Sequence, residues 1–333
     1  MVRYYQLERT AWDEALTGLL PVYRVYAPVY RKKTLDYTII GKEEVPEIVY
    51  NTPKPVTPLK AFFLPIKENV VLPPAKDLPV VVMGVPGCDL FALDLLDKFF
   101  LNGDFPDLYY ARRRNGTILI GTDCHSVNAH CHCTSYGLNP YPEKNQDVTV
   151  SLLNGHVFVS VYTDKGDEFL SKMLEAVPFR SLNGDEPNDV QQIRQKVKKE
   201  LEGMNRRLPN YQESADAILN AEEEIWRKYA KTCVSCGACA LICPTCTCFL
   251  LIDRPGFEKV RQMDVCQYPG FERTAGGEDP LKKMENRFRN RYLCKYLYRP
   301  EKFEAIACTG CGRCIEACIG KIDKNELLVE LTK

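Results

Sequence analysis

Residues 233–248 read CVSCGACALICPTCTC, and four of the six cysteines in that stretch, Cys233, Cys236, Cys239 and Cys243, form C-x2-C-x2-C-x3-C closed by Pro244. Two-residue gaps let three thiolates turn toward one cubane, while the fourth, on the helix that follows, points toward a second; this is the arrangement of two-cluster ferredoxins. The pattern recurs at Cys308, Cys311, Cys314 and Cys318, with Ile319 in place of the proline. The doubled spacing therefore assigns one [4Fe-4S] cluster to Cys233, Cys236, Cys239 and Cys318, and another to Cys308, Cys311, Cys314 and Cys243. No histidine lies inside either copy, which argues against structural zinc. Gly237, Ala238, Gly310 and Gly312 are small enough to admit backbone amides near the sulfides, and such bonds help set reduction potential.

Working outward, the insertion at 249–305 is longer than a compact ferredoxin needs, and it carries Cys266 and Cys294. With Cys246 and Cys248 these make a further set of four, which could hold another iron–sulfur cluster or zinc, or could be buried thiols. In the same insertion Arg287, Arg289, Arg291 and Lys295 interleave with Phe288 and Tyr292. So short a basic stretch in a neutral protein points to ion pairs within the chain or with a partner, or to charges that raise nearby cluster potentials, and not to nucleic acid.

The chain has 333 residues, 16 cysteines, and 44 basic against 44 acidic side chains. Its length allows two domains. A zero net charge gives no general pull toward nucleic acid or an anionic membrane. Cysteines at ligand spacing in a large chain beginning MVRYYQLERT, without an apolar leader, point to metal in a reducing, cytoplasmic setting and not to disulfides. The uncharged run at 232–252 is long enough for a membrane span, but ligand-spaced cysteines, Gly237 and Pro244 describe a loop around metal.

An α/β amino-terminal domain is expected over 1–175. LPVVVMGV (78–85) reads as a buried strand leading through Gly87 and Cys88 into the helical DLFALDLLDKFF. TILIGT (117–122) reads as a second strand, and Asn154-Gly155 as a hairpin turn. NTPKPVTPLK (51–60) reads as an extended surface connection. Cys88 and Cys124 each follow a strand, so adjacent strands would bring both to one sheet edge, with Cys131 and Cys133 in a loop closing over them. A third [4Fe-4S] cluster on Cys88, Cys124, Cys131 and Cys133 is the preferred reading; His125, His130 and His132 keep zinc or a histidine ligand open.

A helical connector is expected over 176–230, with one helix stopping at Gly203 and another starting after Ser214; Glu222 to Glu224 read as a solvated helix face. The third segment, 231–333, is expected to be a mainly α, ferredoxin-like domain holding two [4Fe-4S] clusters. Neither GxGxxG after a strand, nor GxxxxGK[ST], nor HExxH is present. The chain is thus equipped to pass electrons, with no catalytic residue assigned.

The chain resembles the iron–sulfur family that includes the beta subunit of sulfhydrogenase (cytosolic [NiFe]-hydrogenase) together with the corresponding iron–sulfur subunit of anaerobic sulfite reductase. The resemblance rests on YAPV (26–29), GVPGCDLFALDLLD (84–97), DLYYARRRNGTILIG (107–121), CHCTSYG (131–137), CVSCGACALICPTCTCF (233–249), CQYPGF (266–271), AGG (275–277), RFRNRYLCK (287–295) and CTGCGRC (308–314). It implies an electron relay between a catalytic subunit of hydrogenase or sulfite reductase type and a ferredoxin-reductase-like subunit that binds flavin and NAD(P). It also implies that the eight motif cysteines are cluster ligands. The competing expectations are a stand-alone polyferredoxin, a zinc-stabilised scaffold or nucleic-acid binder, and an enzyme with an open iron in its first half.

Overall fold

The computed structural model describes residues 2–71, 78–175, 177–182 and 186–333; the expected boundary at 176 falls on a residue outside these. Eleven strands are described: β1 (Arg3–Glu8), β2 (Arg24–Arg31), β3 (Thr34–Ile39), β4 (Lys67–Asn69), β5 (Val80–Pro86), β6 (Thr117–Thr122), β7 (Val148–Leu153), β8 (His156–Val161), β9 (Arg180–Leu182), β10 (Phe249–Arg254) and β11 (Glu258–Met263). The first nine, β4 excepted, form one sheet in the order β3-β2-β5-β6-β7-β8-β1-β9. Its centre, β2-β5-β6-β7, is parallel, and its flanks are antiparallel.

Both faces of the parallel centre are covered, which is why β5 and β6 read as continuous apolar runs. Val81, Met83, Ile118 and Ile120 join Trp12, Leu16, Phe169 and Leu170 from the helices Arg9–Leu19 and Asp164–Leu174. Val82, Val85 and Leu119 turn the other way, onto Leu90, Leu93, Leu96 and Tyr110 of the helices Gly87–Leu101 and Leu108–Gly116. Each such aliphatic side chain contributes about 1.5–3 kcal/mol of burial. The α/β expectation holds here, and Asn154 and Gly155, at φ 52° and 82°, make the β7-β8 turn; both lie in the left-handed region that this turn requires.

Two expectations are corrected, and the insertion adds strands. The stretch after residue 210 forms two helices, Tyr211–Asn220 and Glu223–Ala230, and the first is capped at Asn210 and not Ser214. Asn210 and Glu213 close a capping box, while the Ser214 hydroxyl donates back to the Asn210 carbonyl at 2.7 Å. Glu222, Glu223 and Glu224 are exposed, as expected.

The insertion, inside the segment expected to be mainly α, also carries strands. Its hairpin β10-β11 pairs with β4 to make a three-stranded sheet, tying the insertion to the first half of the chain. Arg261 of β11 reinforces the joint by pairing with Glu68 and Asp107.

Finally, the proline-rich stretch 51–60 is not a surface connection: Lys54, Pro55, Pro58, Leu59 and Lys60 are buried. It is clamped because the Pro55 carbonyl accepts from Arg313, the Leu59 amide donates to Asp89, and Lys54 pairs with Glu316. No helix among the described residues is long and apolar enough to cross a membrane.

Candidate metal centres

The two copies of the cysteine motif fold alike. Gly237 and Gly312, at φ 74° and 75°, each open a one-turn helix, Ala238–Leu241 and Arg313–Glu316. Cys239 and Cys314 ride on those turns, and Cys243 and Cys318 follow just beyond. One cavity is lined by Cys233, Cys236, Cys239 and Cys318, with Cys314, Arg291, Gln267 and Lys324 also on its wall. Cys308 and Cys311 both lie within electrostatic reach of Cys243, and Cys311 of Cys314. Cys318 therefore sits with the first three cysteines of the other motif, and Cys243 near the first two of its counterpart.

Two of the glycines also admit a neighbouring loop. The space that a side chain would fill at Gly310 is taken by the backbone of Cys133, at 2.5 Å, and at Gly312 by the His130 carbonyl, also at 2.5 Å. The His132 amide donates to the Gly310 carbonyl at 2.8 Å. Two cysteine loops thus pack backbone to backbone. With Gly310 at φ 68° as well, Gly310→Ala is expected to cost on the order of 3 kcal/mol, read as a lower Tm. An unchanged Tm would refute the close packing.

A second cavity is lined by Cys88, Cys124, Cys131 and Cys133, with Gly310 and Cys311 completing its wall. Cys88 opens the helix after β5, and Cys124 follows β6. Among the described residues, no histidine lines this cavity. His125 faces Ser151, His130 faces Asp323, and His132 lies between the His130 carbonyl and Lys324. Burial and Arg194 push the His125 ring down to about 4.

The remaining cysteines also gather. The thiols of Cys248 and Cys266 share a hydrogen bond, Arg299 reaches the Cys294 thiol, and Cys246 and Cys294 lie within electrostatic reach of Cys248. Gln267 stands between Cys266 and Cys233, 3.9 Å from each sulfur. Among the described residues, no three His, Cys, Asp or Glu side chains close on a single ion.

Burial pushes the thiols of Cys88 and Cys124 well up, Cys133 to about 12 and Cys239 to about 11. Cys243 goes the other way, lowered first by its hydrogen bond from the Cys246 thiol and then by Lys295 and Lys60. At Cys308, burial raises the thiol, but Lys324, Lys295 and a hydrogen bond from the Gly310 backbone together outweigh it.

Of the buried cations around these thiols, Lys60 and Lys324 are the part that the sequence pattern did not reveal. Lys60, Lys295, Lys324 and Arg291 are all buried, and their hydrogen bonds go to neutral groups or sulfur: carbonyls, Thr245, two tyrosines, His132 and Cys308. Among the described residues, the expected ion pairs of the basic insertion are therefore absent at Arg287, Arg291 and Lys295, which bond backbone carbonyls, sulfur or Thr245. The Arg291 Nε and the Thr309 hydroxyl are buried with no partner among the described residues. Buried cations and orphaned donors facing soft thiol donors fit an anionic group that accepts hydrogen bonds.

Residues 232–322 match the 4Fe-4S dicluster domain family. Along 99% of its length the chain is 29% identical to the "Sulfhydrogenase 2 subunit beta" of Pyrococcus furiosus, of which it covers 98%. The chain is similar to a sulfhydrogenase beta subunit. That similarity to the sulfhydrogenase protein extends across the eight-stranded sheet, well beyond the dicluster segment.

Proposed function

We propose that this chain is the iron–sulfur electron-transfer subunit of a multi-subunit cytoplasmic oxidoreductase. It would relay electrons between a catalytic subunit of hydrogenase or sulfite reductase type and a flavin- and NAD(P)-binding, ferredoxin-reductase-like subunit. One observation carries the reading: buried ammonium and guanidinium groups, without carboxylate partners among the described residues, converge on the cysteines. Solvating an isolated buried cation by carbonyls alone is costly. A group held by four thiolates supplies the missing negative charge.

In this reading Cys233, Cys236, Cys239 and Cys318 hold one [4Fe-4S] cluster, and Cys243, Cys308, Cys311 and Cys314 a second. Cys88, Cys124, Cys131 and Cys133 hold a third, and Cys246, Cys248, Cys266 and Cys294 a fourth. When bound, such clusters supply reversible one-electron storage. The chain's own residues fix the thiols, exclude water and offset charge. The cations Arg287, Arg291 and Lys295 are buried, which argues against a nucleic-acid surface there.

The test is iron, acid-labile sulfide and zinc per chain on anaerobically purified protein, with EPR of the dithionite-reduced sample. About sixteen irons are expected, four per cubane. Zinc with little iron or sulfide would instead identify a zinc scaffold. Copurification with larger subunits separates the relay from a stand-alone polyferredoxin.

A further inference from the structure

Lys60 and Lys295 reach the turn between Cys243 and Cys246 from opposite halves of the chain. Lys60 stands on the short turn Leu59–Phe62, and its ammonium donates to the carbonyls of Ala240 at 3.0 Å and Cys246 at 2.9 Å. Lys295 stands on the π-helical turn Cys294–Tyr298 and donates to the Thr245 hydroxyl at 2.8 Å and the Ala307 carbonyl at 3.0 Å. The two residues are 5% and 3% exposed.

Their neighbours differ from those of the other buried lysines. Lys54 has Glu316 at 2.9 Å, and Lys324 has two tyrosines and a histidine. Among the described residues, Lys60 and Lys295 have only carbonyls and a threonine hydroxyl. Such oxygens satisfy the protons of an ammonium and leave its charge uncancelled. Both charges bear on the same two sulfurs, Cys243 and Cys246, in surroundings where a nearby charge weighs far more than it does in water.

We propose that Lys60 and Lys295 are positioning residues that raise the reduction potential of the iron–sulfur group held by Cys243, Cys308, Cys311 and Cys314. The inference rests on the iron–sulfur reading above. Reduction adds one electron, supplied in the assay by dithionite, and no bond forms or breaks. The group becomes more negative, so two fixed positive charges stabilise its reduced form more than its oxidised form. Net charge and hydrogen bonding around a cluster are established levers on its potential.

The experiment is an EPR-monitored potentiometric titration of the full chain, with iron and sulfide counted in every sample. The variants are Lys60→Gln, Lys295→Gln, the double variant, and the arginine substitution at each site. The signal of this group is identified by its loss in Cys308→Ala. Glutamine keeps a donor and removes the charge; arginine keeps the charge. The expected result is an unchanged iron count, a lower midpoint for that signal in each glutamine variant, a larger drop in the double, and recovery with arginine. Full iron with unmoved midpoints overturns the proposal, as does an equal shift with arginine and glutamine. If Lys295→Gln fails to fold, the Lys60 pair decides alone. Absence of iron from the unmodified chain would instead remove the iron–sulfur reading and this inference with it.

Discussion

Arg313→Met is expected to destabilise the protein by about 3–5 kcal/mol, the loss typical when one partner of a buried ion pair is removed. Arg313 lies between Cys311 and Cys314, and its guanidinium meets the Asp89 carboxylate in a two-point contact of 2.5 and 2.9 Å. Both side chains are essentially sealed from water. Asp89 also accepts from the Leu59 amide at 3.1 Å, and Arg313 donates to the Pro55 carbonyl at 3.0 Å. One pair therefore joins three separate segments: the helix after β5, the stretch 51–60 and the second cysteine motif. Methionine fills much of the space but leaves the carboxylate buried and uncompensated. Lys259→Ala is the control, since its pair with Asp253 is exposed on both sides and such pairs contribute about 0–1 kcal/mol. Tm measured anaerobically at one scan rate compares the two. Equal effects would show that the Asp89 contact is no more than a surface pair.

The second large effect is on metal content. Cys308→Ala and Cys266→Ala are each expected to lower iron by about four per chain, the content of one cubane. They address different groups. Cys308 sits within reach of Cys243, whereas Cys266 hydrogen-bonds the Cys248 thiol. A normal iron count in Cys266→Ala, with the Cys308→Ala loss intact, would make the four cysteines around the insertion buried thiols and leave the other three groups standing.

Much of this was legible from residue spacing. The doubled C-x2-C-x2-C-x3-C marked where thiols gather because a two-residue gap and a following helical turn leave them little freedom. The β5 and β6 runs could be read because strands covered on both faces need apolar residues at every position. The capping box at Asn210 and Glu213 was also present in the sequence, one turn before the apolar periodicity begins at Ala215, and Ser214 drew the start of the helix too late.

Lys54 and Lys60 were not legible. A lysine in a proline-rich stretch looks solvated, and only partners far along the chain, Glu316 for one and Ala240 and Cys246 for the other, make it a buried charge. The three-residue β4 failed for a related reason: it is too short to show alternation, and its pairing with β11 is non-local. Asp89 and Arg313 carried no pattern that marked them as partners.

Gly310 and Cys311 form part of the wall around Cys88, Cys124, Cys131 and Cys133. During synthesis the first half of the chain emerges well before those residues. In the iron–sulfur reading, iron arriving early would meet a bowl still lacking Gly310 and Cys311. A chain halted before residue 308 would then be expected to surrender iron from that bowl to a chelator faster than the finished protein does.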